Sequence, residues 1–206
     1  MTLSRRALPV ALLVAAVGCG GGDPGPSPTQ PPTPACSGTP RPYGQAVTDW
    51  WVPACSRAQN IYNDPDEAVG APDAGGFGPD AYTGFVSLGF GGYVTLDMGG
   101  CFSDQPGNDL RVFQAVSNEP VTVYVSTAPS GPFTRIEAQK ECGERLDRVK
   151  GFCDFDLATA GVREARYVRV EDGELFPCPG GTSSEGADLD AVQALGVPAT
   201  GGLPGP

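Results

Sequence analysis

The stretch that most limits what this chain can become is Phe85–Ser126, FVSLGFGGYVTLDMGGCFSDQPGNDLRVFQAVSNEPVTVYVS. Within it Tyr93–Met98 alternates, with Val94, Leu96 and Met98 on one side and Tyr93, Thr95 and Asp97 on the other. Val121, Val123 and Val125 repeat the pattern against Thr122, Tyr124 and Ser126. Successive side chains of a strand point to opposite faces of a sheet, so a period of two marks a half-buried strand. Gly91-Gly92, Gly99-Gly100 and Pro106-Gly107 supply turn chemistry between the runs, which predicts three or four short strands. With no helix-length apolar period among them, the expectation is an all-β sandwich. Further strands are expected at Ala46–Trp51, Phe133–Ile136, Phe152–Leu157, Ala165–Val170 and Leu189–Leu195. One helical turn is expected near Arg57–Ile61, and a short exposed helix or charged loop within Glu137–Lys150.

Composition narrows the function. The chain has 206 residues, enough for one core-forming domain once processed and flexible ends are set aside. Its 30 glycines and 22 prolines suit a loop-rich β-protein better than a helical one. A formal charge of −11 argues against nucleic acid or an anionic membrane surface as partner. Histidine is absent, which removes the usual general base, the commonest zinc ligand and the imidazole pH switch together. No Gly-x-Ser-x-Gly elbow, phosphate-cradling loop or zinc motif is present, and the expectation is a protein that is not an enzyme.

The N-terminus reads as a secretory signal. Arg5-Arg6 is followed by a short apolar run, Ala7–Val17, then by small residues. The ending Ala16-Val17-Gly18-Cys19 resembles the lipobox of bacterial lipoproteins, with alanine where leucine is usual. That resemblance implies lipidation of Cys19 and removal of residues 1–18. Cysteine arithmetic agrees. Seven cysteines are an odd number for a secreted chain, and assigning Cys19 to lipid leaves Cys36, Cys55, Cys101, Cys142, Cys153 and Cys178. Six suit three disulfides in an oxidising compartment. They allow 15 pairings, among which a local Cys142–Cys153 clip is preferred.

Residues 19–42 carry eight prolines and almost no large apolar side chains. Such a segment cannot bury enough surface to fold and reads as a semi-extended tether. The domain is expected over 43–197, with a flexible tail at 198–206. An anchor followed by a spacer places the expected location at the cell envelope, lipid-anchored on its extracytoplasmic side, at an outer membrane or cell surface.

Four pieces in order then point to a family: Val121–Ser126 with a turn and Phe133–Ile136, Phe155-Asp156-Leu157, Ala165-Arg166-Tyr167-Val168-Arg169-Val170, and Ala187–Leu195. Together they resemble the discoidin, or factor 5/8 type C, group of galactose-binding-like jelly rolls. Ala68–Asp73, Phe85–Gly92 and Asp109–Phe113 are similar to a bacterial cell-surface branch of it. The resemblance implies a non-catalytic module that binds a glycan, lipid or cell-surface protein through loops at one end of a jelly roll. It also implies a structural Ca2+ where the early loop meets the closing strand.

Candidate residues follow. Asp188 and Asp190, two apart on a strand, face the same way, and alone they are a solvated pair that needs no cation. If the resembled topology brings them to the Asp73–Asp80 loop, Asp73, Asp80, Asp188 and Asp190 become calcium ligands. Asp104, Asn108 and Asp109 form a second acidic loop, read as a turn capped by side chains. For a sugar, aromatic faces on loops with a few planar polar groups are needed. Trp50, Trp51, Tyr62, Phe77, Tyr82 and Phe176 are candidates for the first, with Tyr62, Phe77 and Tyr82 in the long loop; the resemblance implies arginine beside the aromatics, which adds Arg57 and Arg111. One of the adjacent tryptophans is expected to point inward. The leading expectation is a carbohydrate-binding or adhesion module, the alternative a structural envelope lipoprotein that binds a protein partner, and behind both a glycan-acting enzyme.

Overall fold

Nine strands and two one-turn 3₁₀ helices make up the regular structure of the described residues. The strands are β1 (Ala46–Trp51), β2 (Val86–Ser87), β3 (Tyr93–Ser103), β4 (Leu110–Gln114), β5 (Val121–Ser126), β6 (Thr134–Ile136), β7 (Gly151–Phe155), β8 (Glu164–Asp172) and β9 (Asp188–Ala194). The computed structural model describes residues 36–53, 62–75, 83–115, 119–138, 151–173 and 186–197. All fall within the unit Pro34–Pro206. Cys19 and the signal segment, the helical turn expected at Arg57–Ile61, most of Glu137–Lys150 and the tail lie outside the described residues.

The strands pair antiparallel in two sheets, ordered β1-β3-β8-β5-β6 and β2-β9-β4-β7. The fold is an all-β sandwich, as the alternating runs predict. One buried cluster joins the sheets. Val94, Leu96 and Met98 of β3, Val123 and Val125 of β5 and Val168 and Val170 of β8 pack with Leu110, Val112, Phe155, Leu189 and Val192 of the other sheet. Burying each such side chain stabilises the fold by roughly 1.5–3 kcal/mol. Trp50 packs against this core while Trp51 stays 48% exposed, as alternation along β1 requires.

Two features depart from the sequence expectation. Gly99-Gly100 is not a turn: β3 runs through it to Ser103, and the β3–β8 register shifts between Asp97 and Phe102. Glycine inside a strand marks a bulge or a close backbone approach, and here it does both. The second feature is the segment that approaches. Cys36–Pro42, placed in the tether by composition, is strapped to the sandwich. Cys36 is disulfide-bonded to Cys101, Arg41 donates its backbone N–H to Met98 O at 3.0 Å, and Pro42 O accepts from Ala194 N at 2.8 Å. A Cβ on Gly38 would lie 2.7 Å from Gly99 O, and one on Gly100 2.6 Å from Pro40 N, so only glycines admit the strap. Composition missed it because the strap is held by backbone hydrogen bonds and a covalent link rather than by apolar burial.

Cys36, Cys101 and Cys153 are all disulfide-bonded. The partner of Cys153 lies outside the described residues, as do Cys55, Cys142 and Cys178, so the expected Cys142–Cys153 clip falls there too. The Cys36–Cys101 bond closes a loop of 65 residues, for which chain entropy assigns about 4 kcal/mol, within the usual 2–5 kcal/mol for native disulfides. Urea unfolding of the Cys36→Ser/Cys101→Ser variant should therefore show a loss of about 2–5 kcal/mol. A loss below about 0.5 kcal/mol would mean that the strap contributes little to the folded state.

Candidate functional site

Buried aspartates hold this sandwich's loops. Asp190 Oδ1, near the bulged centre of β9, accepts the backbone N–H groups of Asp73 at 2.9 Å and Ala74 at 3.2 Å. Asp172, at the end of β8, accepts from Ala187 N through Oδ2 at 2.7 Å and from Gly91 N through Oδ1 at 3.4 Å. Asp109, at the start of β4, accepts from Gln105 N at 2.8 Å and Leu157 N at 2.9 Å. A carboxylate accepting backbone N–H groups forms charge-assisted bonds roughly twice as strong as neutral ones. With so little helix among the described residues, this is how irregular segments satisfy buried donors.

The early loop and the closing strand do meet, as the resemblance implied. Their described contact is between the Asp190 carboxylate and the backbone of Asp73, with Asp80 outside the described residues. Asp188, directly across from Ser87 in the β2–β9 pair, is 6% exposed, and its Oδ1 accepts no hydrogen bond from any described residue. Burial pushes its carboxyl up to about 7, with Ser87 opposing the shift. Among the described residues, the group of carboxylates with oxygens within 4.8 Å of one another lies elsewhere: Asp104, Asp109 and Asp156. Asp109 is bonded as above, and Asp156 caps the 3₁₀ turn Leu157–Ala160 by accepting from Ala158 N at 2.8 Å. The side-chain-capped turn read from Asp104–Asp109 is thus present. Asp73, Asp188 and Asp190 do not form such a group, so the described residues alone do not assemble a calcium cage there.

Of the residues expected to touch a sugar, Tyr62 and Arg111 are described, along with Trp50 and Trp51. Arg57, Phe77, Tyr82 and Phe176 lie outside the described residues. Tyr62 is half-buried and stacked on Phe85, ring centroids 5.0 Å apart, in a small cluster with Ala74 and Ala115. Arg111 is clamped by Asp154 through Nε at 2.6 Å and Nη2 at 2.8 Å, and its guanidinium lies 3.9 Å from the Phe152 ring centroid. Both side chains are committed to packing.

A different surface collects aromatic and planar polar groups: the outer face of the five-stranded sheet. Strand register lays it out in rows across the strands. One row is Trp51, Tyr93, Glu171 and Thr122, on β1, β3, β8 and β5. The next is Asp49, Thr95, Arg169, Tyr124 and Arg135, reaching β6. Asp97 and Tyr167 begin a third. Arg169 is the hub. It donates to Thr95 Oγ1 and to Asp49 Oδ2, each at 2.9 Å, and its guanidinium carbon sits 4.2 Å from the Tyr93 centroid and 4.6 Å from that of Phe133. Tyr93 Oη donates to Asp49 Oδ2 at 3.0 Å. Burial and the Asp49 hydrogen bond push the Tyr93 phenol up, and burial together with the Glu171 charge does the same to Tyr124, so both remain neutral donors at ordinary pH.

Searches of protein-family models, of curated proteins and of solved structures return no match for this chain. The outer face was missed in the sequence because its members are spread from residue 49 to 171. The one legible sign was the aromatic or charged residue at alternate positions of otherwise apolar strands: Tyr93, Tyr124 and Arg169.

Asp188 carries a testable sign. Its folded-state pKa of about 7 exceeds its ordinary value of 3.8, so between these values the native state holds a proton that the unfolded chain releases. Its contribution to stability is therefore lost as pH rises through that window. Asp188→Asn cannot ionise and should raise the melting temperature relative to wild type at pH 8 and much less at pH 4. Calcium bound by the Asp188 carboxylate predicts the reverse at pH 8, with wild type stabilised by added calcium and the variant not.

Proposed function

We propose that this chain is a lipid-anchored, extracytoplasmic lipoprotein whose discoidin-like β-sandwich is a non-catalytic glycan-binding module. The observation that carries the reading is the aromatic and arginine array on the outer face of the five-stranded sheet. Trp51 is the large apolar side chain left exposed among the described residues, its cross-strand partner is Tyr93, and the Arg169 guanidinium contacts the rings of Tyr93 and Phe133. Carbohydrate recognition uses these two elements, an apolar ring that stacks on the C–H face of a pyranose and fixed polar groups that meet its hydroxyls. Reactive groups point the same way. Asp190 and Asp109 hold loops, and Asp154 and Asp97 pair arginines, which suits a binder better than a hydrolase.

Export and anchoring fit the rest of the chain. A disulfide between Cys36 and Cys101 belongs in an oxidising compartment. The strap that begins at Cys36 leaves residues 20–35, rich in proline and glycine, as the spacer from the acylated Cys19. A spacer of this kind serves a domain whose ligand lies beyond the membrane surface.

Two measurements check the proposal. Metabolic labelling with palmitate should mark the mature protein, and Cys19→Ser should abolish the label and release the domain from the membrane fraction. The secreted domain should give hits on a glycan array that weaken with Trp51→Ala. A blank array combined with co-purification of one stoichiometric protein would replace the glycan by a protein partner.

A further inference from the structure

The charges of the outer face narrow the ligand class, an inference that rests on the glycan reading above. We infer that this face takes a neutral, extended polysaccharide, lying across the strands from Trp51 towards Tyr124, and rejects anionic glycans.

The positive charge of this face is already engaged. Arg166 is held by Asp97 through two bonds, Nε to Oδ1 at 2.9 Å and Nη2 to Oδ2 at 2.8 Å. The Asp97 carboxyl is held below its usual range by that guanidinium. Arg169 is taken by Asp49 and Thr95, and Arg135 lies 3.2 Å from Glu137. Each arginine on the described part of this face thus already has a carboxylate partner, and Glu171 adds a further negative charge beside Tyr93 and Thr122. A uronate or sulfate arriving here would meet no unpaired arginine among the described residues of this face. It would also approach a chain of formal charge −11, and like charges brought together raise the energy of the complex. A neutral sugar meets no such penalty. Its hydroxyls can donate to the Asp49 and Glu171 carboxylates and to the Tyr124 phenol oxygen, and accept from Arg169.

Geometry sets the direction. Trp51 and Tyr93 are cross-strand partners, and adjacent strands are about 4.8 Å apart, close to the length of one pyranose along an extended chain. The row through Asp49, Thr95, Arg169, Tyr124 and Arg135 crosses five strands, so four steps span on the order of 19 Å. That is room for three or four sugar units, with the exposed indole of Trp51 stacking on a unit at the β1 edge. Side chains held by cross-strand ion pairs are already ordered, so binding costs little additional rotamer entropy.

The test is a depletion assay with the secreted mature protein, using insoluble cellulose and chitin against immobilised alginate and heparin. Retention on cellulose or chitin is expected, unchanged at about 1 M NaCl, where the Debye length is about 3 Å. Trp51→Ala should lower it roughly tenfold, as truncating an interface anchor does, while circular dichroism stays that of wild type. Preferential retention on alginate or heparin that falls with salt overturns the neutral-ligand inference and leaves glycan binding standing. No retention on any of the four, with intact fold, overturns both. Retention on a neutral polymer that is indifferent to Trp51→Ala and to Tyr124→Ala would overturn the assignment to this face.

Discussion

The register of β8 between β3 and β5 is the constraint on which the rest depends. With Val170 opposite Val94 and Val123, and Val168 opposite Leu96 and Val125, the apolar side chains of three strands fall on the inner face. The same register puts Tyr167, Arg169 and Glu171 outside, in line with Tyr93, Thr95, Asp97, Thr122 and Tyr124. A slip of one residue would exchange the two sets, burying Arg169 and exposing valines. Core and candidate binding surface are thus the two sides of one pairing. Arg169 reinforces it from outside by bonding Thr95 on β3 and Asp49 on β1.

Between the strands the problem is different. Loops in a sandwich of short strands carry backbone donors that no ladder satisfies. Asp190 and Asp172 on strands, and Asp109 immediately before β4, each answer two of them. The strap of Cys36–Pro42 then bridges the sheets, reaching Met98 on β3 and Ala194 on β9. Asp188 is the exception, a carboxyl buried beside Ser87 and poised near neutrality, where a protonated acid resolves the cost of burying charge.

Strands were legible in this sequence wherever one face is buried and the other wet. In Val121–Ser126 the expected Val123 and Val125 are buried with Tyr124 partly exposed between them, and the strand expected at Ala165–Val170 is present as Glu164–Asp172. Gly99-Gly100 was misleading because a glycine pair serves a turn and a close approach equally well, and only the strap seen in three dimensions separates them. Asp190 was singled out for a cation, and its position at the meeting of early loop and closing strand is as expected, but its described partners are backbone N–H groups. Composition alone does not distinguish a carboxylate that binds a metal from one that caps a loop. Tyr62 and Arg111 have the right chemistry for a sugar and are occupied by Phe85 and Asp154. The outer face escaped because cross-strand neighbours such as Asp49, Thr95 and Arg169 are far apart in the chain.

The central claim is that this face, rather than a loop cluster or the opposite sheet, is where a neutral glycan lies. Nuclear magnetic resonance mapping with a soluble cello- or chito-oligosaccharide tests it most directly, because each described surface has its own reporters. Shifts concentrated on the Trp51 indole, the Tyr93 and Tyr124 rings and the Arg169 side chain are the predicted result. Shifts centred on Tyr62, or on Arg111 and Phe152 of the four-stranded sheet, would contradict it.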